Sequence, residues 1–346
     1  MRVIISRKIR GRTLSRALRR KDITMKATGI LAPTRMMPLI LDGLRATGKL
    51  HCLWEQADPE AYLSAHADQI GAIATGAHLA VDGAYMSRFP NLKLVANFGV
   101  GYDTVDAKWA GKNGVIVTNT PDVLTEEVAD TALGLLLMTI RELPQSERWL
   151  RAGHWVSKGP YPLTANTMRG KTIGILALGR IGKAIATRCE AFGLTIAYHG
   201  RSKQDDVSYR YYDSLVDMAR DVDILMSVAP GGASTKHIIN AEVLKALGPQ
   251  GVLINIGRGS VVDEAALAKA LREKIIFAAG LDVFENEPHV PADLMACENA
   301  VLLPHVGSAS IHTRNLMGQL VVDNVLAFLS GKHPLTPVAE TPFTHW

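Results

Sequence analysis

The chain has 346 residues, 47% hydrophobic and 21% charged, which suits about two ordinary domains and excludes a disordered chain or a small disulfide-stapled module. No apolar run approaches the ~18 residues of a membrane span, and the best candidate, Ala132 to Ile140, stops at Arg141 and Glu142. The net charge of +5 misleads: residues 1 to 24 hold nine Arg or Lys against one acid, Asp22, so the remainder sums to −3 and a nucleic-acid role would have to rest on that extension alone.

Residues 1 to 25 read as a basic extension with three open explanations: an overlong start with Met25 as initiator, an Arg-rich targeting segment, or a disordered basic arm. From Gly29, short apolar runs alternate with amphipathic stretches, the pattern of βα units in a parallel sheet. Strands are expected at Gly29–Ala32, Cys52–Trp54, Ala72–Thr75, Leu94–Asn97 and Val115–Val117, with a helix over Met37–Thr47 among the connections. One long helix is expected over Glu126–Arg151. A second series follows at Thr172–Leu178, Thr195–Tyr198, Ile224–Val228, Val252–Ile256, Ala278–Val283 and Val301–Leu303, and a last helix spans Ser310–Leu329. Six strands with intervening helices make a doubly wound, Rossmann-type nucleotide fold. If the last helix returns to the first sheet, that unit is inserted into the smaller α/β one. The expected domains are then 26–121 with 308–346, and 122–307.

Directly after the Thr172 strand, Ala177-Leu178-Gly179-Arg180-Ile181-Gly182 opens a helix over Ile181–Phe192. This is a G-x-G-x-x-G loop with alanine in the first place. Gly179 lets backbone approach a pyrophosphate, Gly182 allows close helix packing, and the helix N-terminus favours the negative charge. Ala177 in the tight-turn position is tolerable if its φ stays negative. An NAD site would put an acid at the end of the second strand, yet none appears between Glu190 and Asp205. His199-Gly200-Arg201-Ser202-Lys203 stands there instead, offering two cations and a hydroxyl to the extra phosphate of NADP. NADP(H) is the expected cofactor, with NAD(H) an open second.

Three segments end late strands of this unit and carry ionisable groups: Asn255-Ile256-Gly257-Arg258-Gly259, Asp282 to Pro288, and Leu303-Pro304-His305-Val306-Gly307-Ser308. All should face the interdomain cleft. Arg258 can grip a carboxylate in bidentate fashion, His305 can donate a proton at neutral pH, and Glu287 can orient His305. Together they describe reduction of a 2-keto acid. Each has a bland reading alone, as a surface ion pair, a structural histidine or a solvated acid, and His289 beside Pro288 is the nearest decoy. The scattered Cys52, Cys189 and Cys297 make neither a disulfide framework nor a metal site and suit a cytoplasmic setting.

These segments, with Asn97-Phe98-Gly99-Val100-Gly101 and Thr120 to Thr125, resemble the D-isomer-specific 2-hydroxyacid dehydrogenases, most closely their glyoxylate/hydroxypyruvate reductase branch, from about Lys26 to Pro334. The resemblance implies that Arg258 binds the substrate carboxylate and keto oxygen, His305 is the acid/base and Glu287 its partner. It implies that amides of Val100 and Gly101 clasp the carboxylate. Arg180 and Ile181 would line the pyrophosphate, Pro230 border the cofactor and Asp282 contact the nicotinamide end, with Ile256 and Gly307 beside them. It also implies a homodimer through the nucleotide domain and the flavodoxin-like character of the smaller domain. Another 2-keto acid, of the D-lactate or hydroxyphenylpyruvate type, stays open as substrate, as does a nucleotide-sensing scaffold like the corepressor branch sharing the fold.

Overall fold

Runs such as Gly29–Ala32, Ile224–Ser227 and Val252–Asn255 are buried along their whole length, as strands of a parallel sheet covered on both faces must be. The structure, a computed structural model, describes residues 28–76 and 79–342; the basic extension, with its three explanations, lies outside the described residues.

The first unit comprises β1 (Gly29–Ala32), α1 (Pro38–Arg45), β2 (Leu50–Cys52), α2 (Pro59–His66), β3 (Ile70–Gly76), α3 (Gly83–Ser87), β4 (Leu94–Phe98), α4 (Ala107–Lys112) and β5 (Ile116–Thr118). The crossing helices are α5 (Thr125–Ile140), α6 (Leu143–Arg151) and α7 (His154–Lys158). The second unit runs β6 (Thr172–Leu176), α8 (Arg180–Ala191), β7 (Thr195–His199), β8 (Arg210–Tyr212), α9 (Leu215–Asp221), β9 (Ile224–Ser227), α10 (Ala241–Leu247), β10 (Val252–Asn255), α11 (Glu264–Arg272), β11 (Ala278–Leu281), α12 (Ala292–Met295) and β12 (Ala300–Leu302), before the final helix α13 (Ile311–Leu329).

Two all-parallel sheets result. The first has the order β2-β1-β3-β4-β5, and the second β12-β11-β10-β9-β6-β7-β8. In each the order reverses once, beside β1 in the first and between β6 and β9 in the second, and ligand crevices open at such reversals on the carboxyl side of the strands. Helix α13 returns to the first sheet, packing on α1, β4 and β3, while α5 lies on α8, β10 and β11 of the second.

Four expectations need correction. The strand at Cys52–Trp54 is Leu50–Cys52, because Leu53–Glu55 tightens into a 3₁₀ turn that buries Leu53. The helix over Glu126–Arg151 is two: Arg141 ends α5, Glu142 turns left-handed at φ 51°, and Pro144 sits in the first turn of α6, where its missing N–H removes no helical bond. The second sheet has a seventh strand, β8, a three-residue edge strand too short and polar to stand out in sequence. Five of the six strands expected in the second unit, all but Thr195–Tyr198, also stop a residue or two early, since apolar residues such as Leu178 and Val283 continue past the ladder into buried loops.

Leu135 of α5 is wholly buried against the second sheet, where a Cβ on Gly280 would lie 2.9 Å from its Cγ. Leu135→Ala is expected to cost about 2–5 kcal/mol, read as a lowered melting temperature. An unchanged melt would mean that α5 does not hold the sheet together.

Candidate active site

At the end of β6 the chain turns into α8 through Ala177, Leu178 and Gly179. A Cβ on Gly182 would fall 2.6 Å from the Ala177 carbonyl, so the third glycine is required for close packing. Gly179 is the N-cap of the 12-residue α8, and a Cβ there would project into open space. The exposed first amides of the helix therefore face a cradle that backbone alone lines, which fits a dinucleotide pyrophosphate. Ala177 departs from expectation, with φ at +75° rather than negative, so this alanine adopts the left-handed turn that the glycine fingerprint normally serves. Ile181 is half-buried in the first turn. The side chain of Arg180 pairs with Asp122 at 2.9 Å, both largely exposed, so the anion-facing group that Arg180 offers is its backbone amide.

The turn after β7 is tethered from several sides. The Ala177 amide donates to the His199 carbonyl, the Tyr211 hydroxyl to Gly200, and the Gln204 amide to the Tyr198 hydroxyl, while the Gln204 side chain reaches Leu178. Arg201, Ser202 and Lys203 are exposed and make no hydrogen bond or ion pair among the described residues. Two unpaired cations on a fixed turn beside the phosphate loop fit a 2′-phosphate. Gln204 was not legible as part of this site, since an amide carries no charge signal.

The late strand ends bring the three ionisable groups toward one edge. The Glu287 carboxylate accepts from His305 Nδ1 at 2.7 Å and from the Phe284 amide at 3.0 Å. Burial alone would raise the Glu287 pKa, but these hydrogen bonds, with the charges of His305 and Arg258 nearby, outweigh it and hold the carboxyl below its usual value. His305 has φ +54°, and its amide donates to the Asp282 carbonyl. Asp282 is only 1% exposed, and its two carboxylate oxygens accept from the Val306 and Gly307 amides at 2.7 and 2.8 Å. Its side chain thus anchors the His305 loop. Ile256 packs under the same loop, 3.6 Å from where a Cβ on Gly307 would be. Pro230 is exposed on the loop after β9, its carbonyl accepting from the Thr235 hydroxyl. His289, the decoy, is exposed and outside the Glu287 pair.

Arg258 meets the first unit directly. Its Nη1 donates to the Gly257 carbonyl, and its Nε donates to Asp103 on the loop after β4 at 3.0 Å. A Cβ on Gly101 would land 1.6 Å from Nη2, so only glycine admits the guanidinium here. The Asn97 side chain donates to the carbonyls of Gly99 and Gly101, and Asn119 donates to Val100, fixing the loop that presents the Val100 and Gly101 amides. Asn255 braces the other side, accepting from the Gly257 amide and donating to the Arg258 carbonyl. Asp103 escaped sequence reading because its partner is 155 residues away. A cation, a carboxylate-oriented histidine and a phosphate cradle along one cleft can bind an anion, move a proton and hold a nucleotide.

The family model for the D-isomer specific 2-hydroxyacid dehydrogenase NAD binding domain matches residues 133–307. Glyoxylate/hydroxypyruvate reductase A of Arabidopsis thaliana is 46% identical over 314 residues, covering 91% of this chain and all of that protein. A hydroxyphenylpyruvate reductase of Plectranthus scutellarioides is likewise 46% identical with the same coverage. Among solved structures, the NADPH-dependent glyoxylate/hydroxypyruvate reductase of Sinorhizobium meliloti, in complex with NADP and malonate, is 53% identical, with a TM-score of 0.86 over 92% of this chain and 98% of that one.

The left-handed Ala177 makes a local test. Ala177→Gly relieves about 1–2 kcal/mol of steric cost and loses about 0.4–1 kcal/mol through the looser unfolded chain, so unfolding in denaturant is expected to show unchanged or slightly higher stability. A loss above about 1 kcal/mol would contradict a strained alanine at this turn.

Proposed function

The chain belongs to the D-isomer-specific 2-hydroxyacid dehydrogenase family, and we propose that it reduces glyoxylate and hydroxypyruvate with NADPH, giving glycolate and D-glycerate. The observation that carries this reading is the His305–Glu287 pair at 2.7 Å on the same strand edge as Arg258, with the unpaired Arg201 and Lys203 on the turn beside the phosphate loop. The S. meliloti protein, an NADPH-dependent glyoxylate/hydroxypyruvate reductase in complex with NADP, supports it. Residues 122–307 are proposed as the nucleotide domain, and 26–121 with 308–346 as the substrate domain.

In this mechanism the cofactor would lie with its pyrophosphate against Gly179 and on the amides of Arg180 to Gly182, its 2′-phosphate on Arg201, Ser202 and Lys203, and when bound it supplies a hydride. Arg258 and the amides of Val100 and Gly101 neutralise the substrate carboxylate, and Arg258 also polarises the keto oxygen. His305 Nε2 gives its proton to that oxygen as the alcohol forms. Glu287, kept ionised by its hydrogen bonds, holds the imidazole through Nδ1 and balances its charge. Closure of the two units around the substrate excludes water.

A homodimer is proposed through the arm of α6, α7 and the following segment, where Leu150, Trp155, Val156 and Leu163 are 54%, 61%, 96% and 100% exposed. Such a cluster on a surface suits burial against a second copy. A cytoplasmic setting suits the three free, buried cysteines.

Three measurements test these statements. NADPH oxidation with glyoxylate and hydroxypyruvate should exceed turnover of hydroxyphenylpyruvate in kcat/KM; the reverse order would favour the second reading that the equally identical plant relative raises. His305→Ala should lower kcat by about 10²–10⁴ with the cofactor KM unchanged, and undiminished kcat would remove it from proton transfer. Replacing Arg201 and Lys203 by neutral residues should raise KM for NADPH and leave NADH nearly untouched, whereas an equal effect on both would remove the turn from phosphate binding.

A further inference from the structure

Arg258 is oriented from two sides, and one of them is not its own domain. A guanidinium carries five N–H donors in a rigid fork. One, on Nη1, is bound to the Gly257 carbonyl next in the chain, and Nε is bound to Asp103 of the opposite unit. Three donors remain, two of them on Nη2, which lies against the Cα of Gly101. Asp103 is itself seated between the units. Its Oδ1 is 2.9 Å from where a Cβ on Gly101 would be, and its Oδ2 is 3.0 Å from where one on Gly231 would be. Its side chain is 32% exposed, and that of Arg258 26%, so the pair sits at the cleft and not on open surface. Glycines at both flanking positions leave the room this carboxylate occupies.

We propose that Asp103 is a positioning residue: by accepting from Nε it fixes the guanidinium so that Nη2 and the free Nη1 donor face the carboxylate site beside Gly101. The inference rests on the proposed role of Arg258 as the substrate's carboxylate anchor. Because Asp103 belongs to the other unit, the anchor is aligned only when the two units are together, so closure completes the binding site as well as excluding water. A carboxylate beside the anchor also offsets its charge, so orientation, not net positive potential, becomes what the substrate selects.

The test is a set of three variants, Asp103→Ala, Asp103→Asn and Arg258→Ala, each checked for an unchanged melting temperature. The asparagine keeps an oxygen acceptor where Oδ1 stands. Asp103→Ala is expected to raise KM for the keto acid, and the dissociation constant of oxamate on the NADPH-bound enzyme, by about tenfold to a hundredfold, the loss of one charge-assisted hydrogen bond. KM for NADPH should stay within about twofold of the parent, a difference of less than ~0.5 kcal/mol. Asp103→Asn should recover most of the oxamate affinity. An alanine variant that binds oxamate like the parent, or an asparagine variant as impaired as the alanine one, would overturn the positioning role. Arg258→Ala separates the two readings: if it alone loses oxamate binding, the Asp103 inference fails and the carboxylate anchor stands, whereas if it too binds oxamate normally, the anchor itself is wrong.

Discussion

Every strand in both sheets runs parallel to its neighbours, and the site depends on that one constraint. Parallel strands need a crossover on a sheet face between them, so all loops leaving their carboxyl ends gather along one edge. In the second sheet that edge carries the phosphate loop after β6, the Arg201 turn after β7, Arg258 after β10, Glu287 after β11 and His305 after β12. In the first it carries the Val100–Asp103 loop after β4. The chemistry is distributed over more than 200 residues of sequence and collected by topology alone.

Within that edge, buried amide and carboxylate side chains do the shaping while charged ones face the cleft. Asn97, Asn255 and Asp282 each hold backbone groups of a neighbouring loop and are at most 1% exposed. Burial raises the Asp282 pKa above its usual value, although the amides of Val306 and Gly307 oppose that shift. A polar group so placed is costly unless paired; Asn255 and Asp282 are paired through their side-chain oxygens, whereas Asn97 Oδ1 is buried without a partner among the described residues. His305 is held twice, by its ring to Glu287 and by its left-handed backbone over Asp282.

Much of this was legible in the sequence because it rests on local pattern. Alternating apolar runs marked eleven of the twelve strands among the described residues, and Gly179 and Gly182 marked the phosphate loop by spacing. The absence of an acid before Asp205 marked the cofactor preference. What stayed hidden depends on distance. The break at Glu142 needs a backbone torsion, and β8 exists only because β7 offers it a partner. The Asp103 bond to Arg258 joins loops of different sheets.

The return of α13 to the first sheet sets an order of assembly. β1 to β5 leave the ribosome first, but their apolar face is completed by Val321, Val322, Val325 and Phe328, just over 200 residues after β5. The final stretch then seals the edge strand: the Val117 amide donates to the Thr341 hydroxyl, and Val338 donates back to Val117. The inserted unit, whose strands and helices are contiguous in sequence, can fold during synthesis while the first sheet waits half-covered. The first sheet therefore cannot complete its apolar face until α13 has been made.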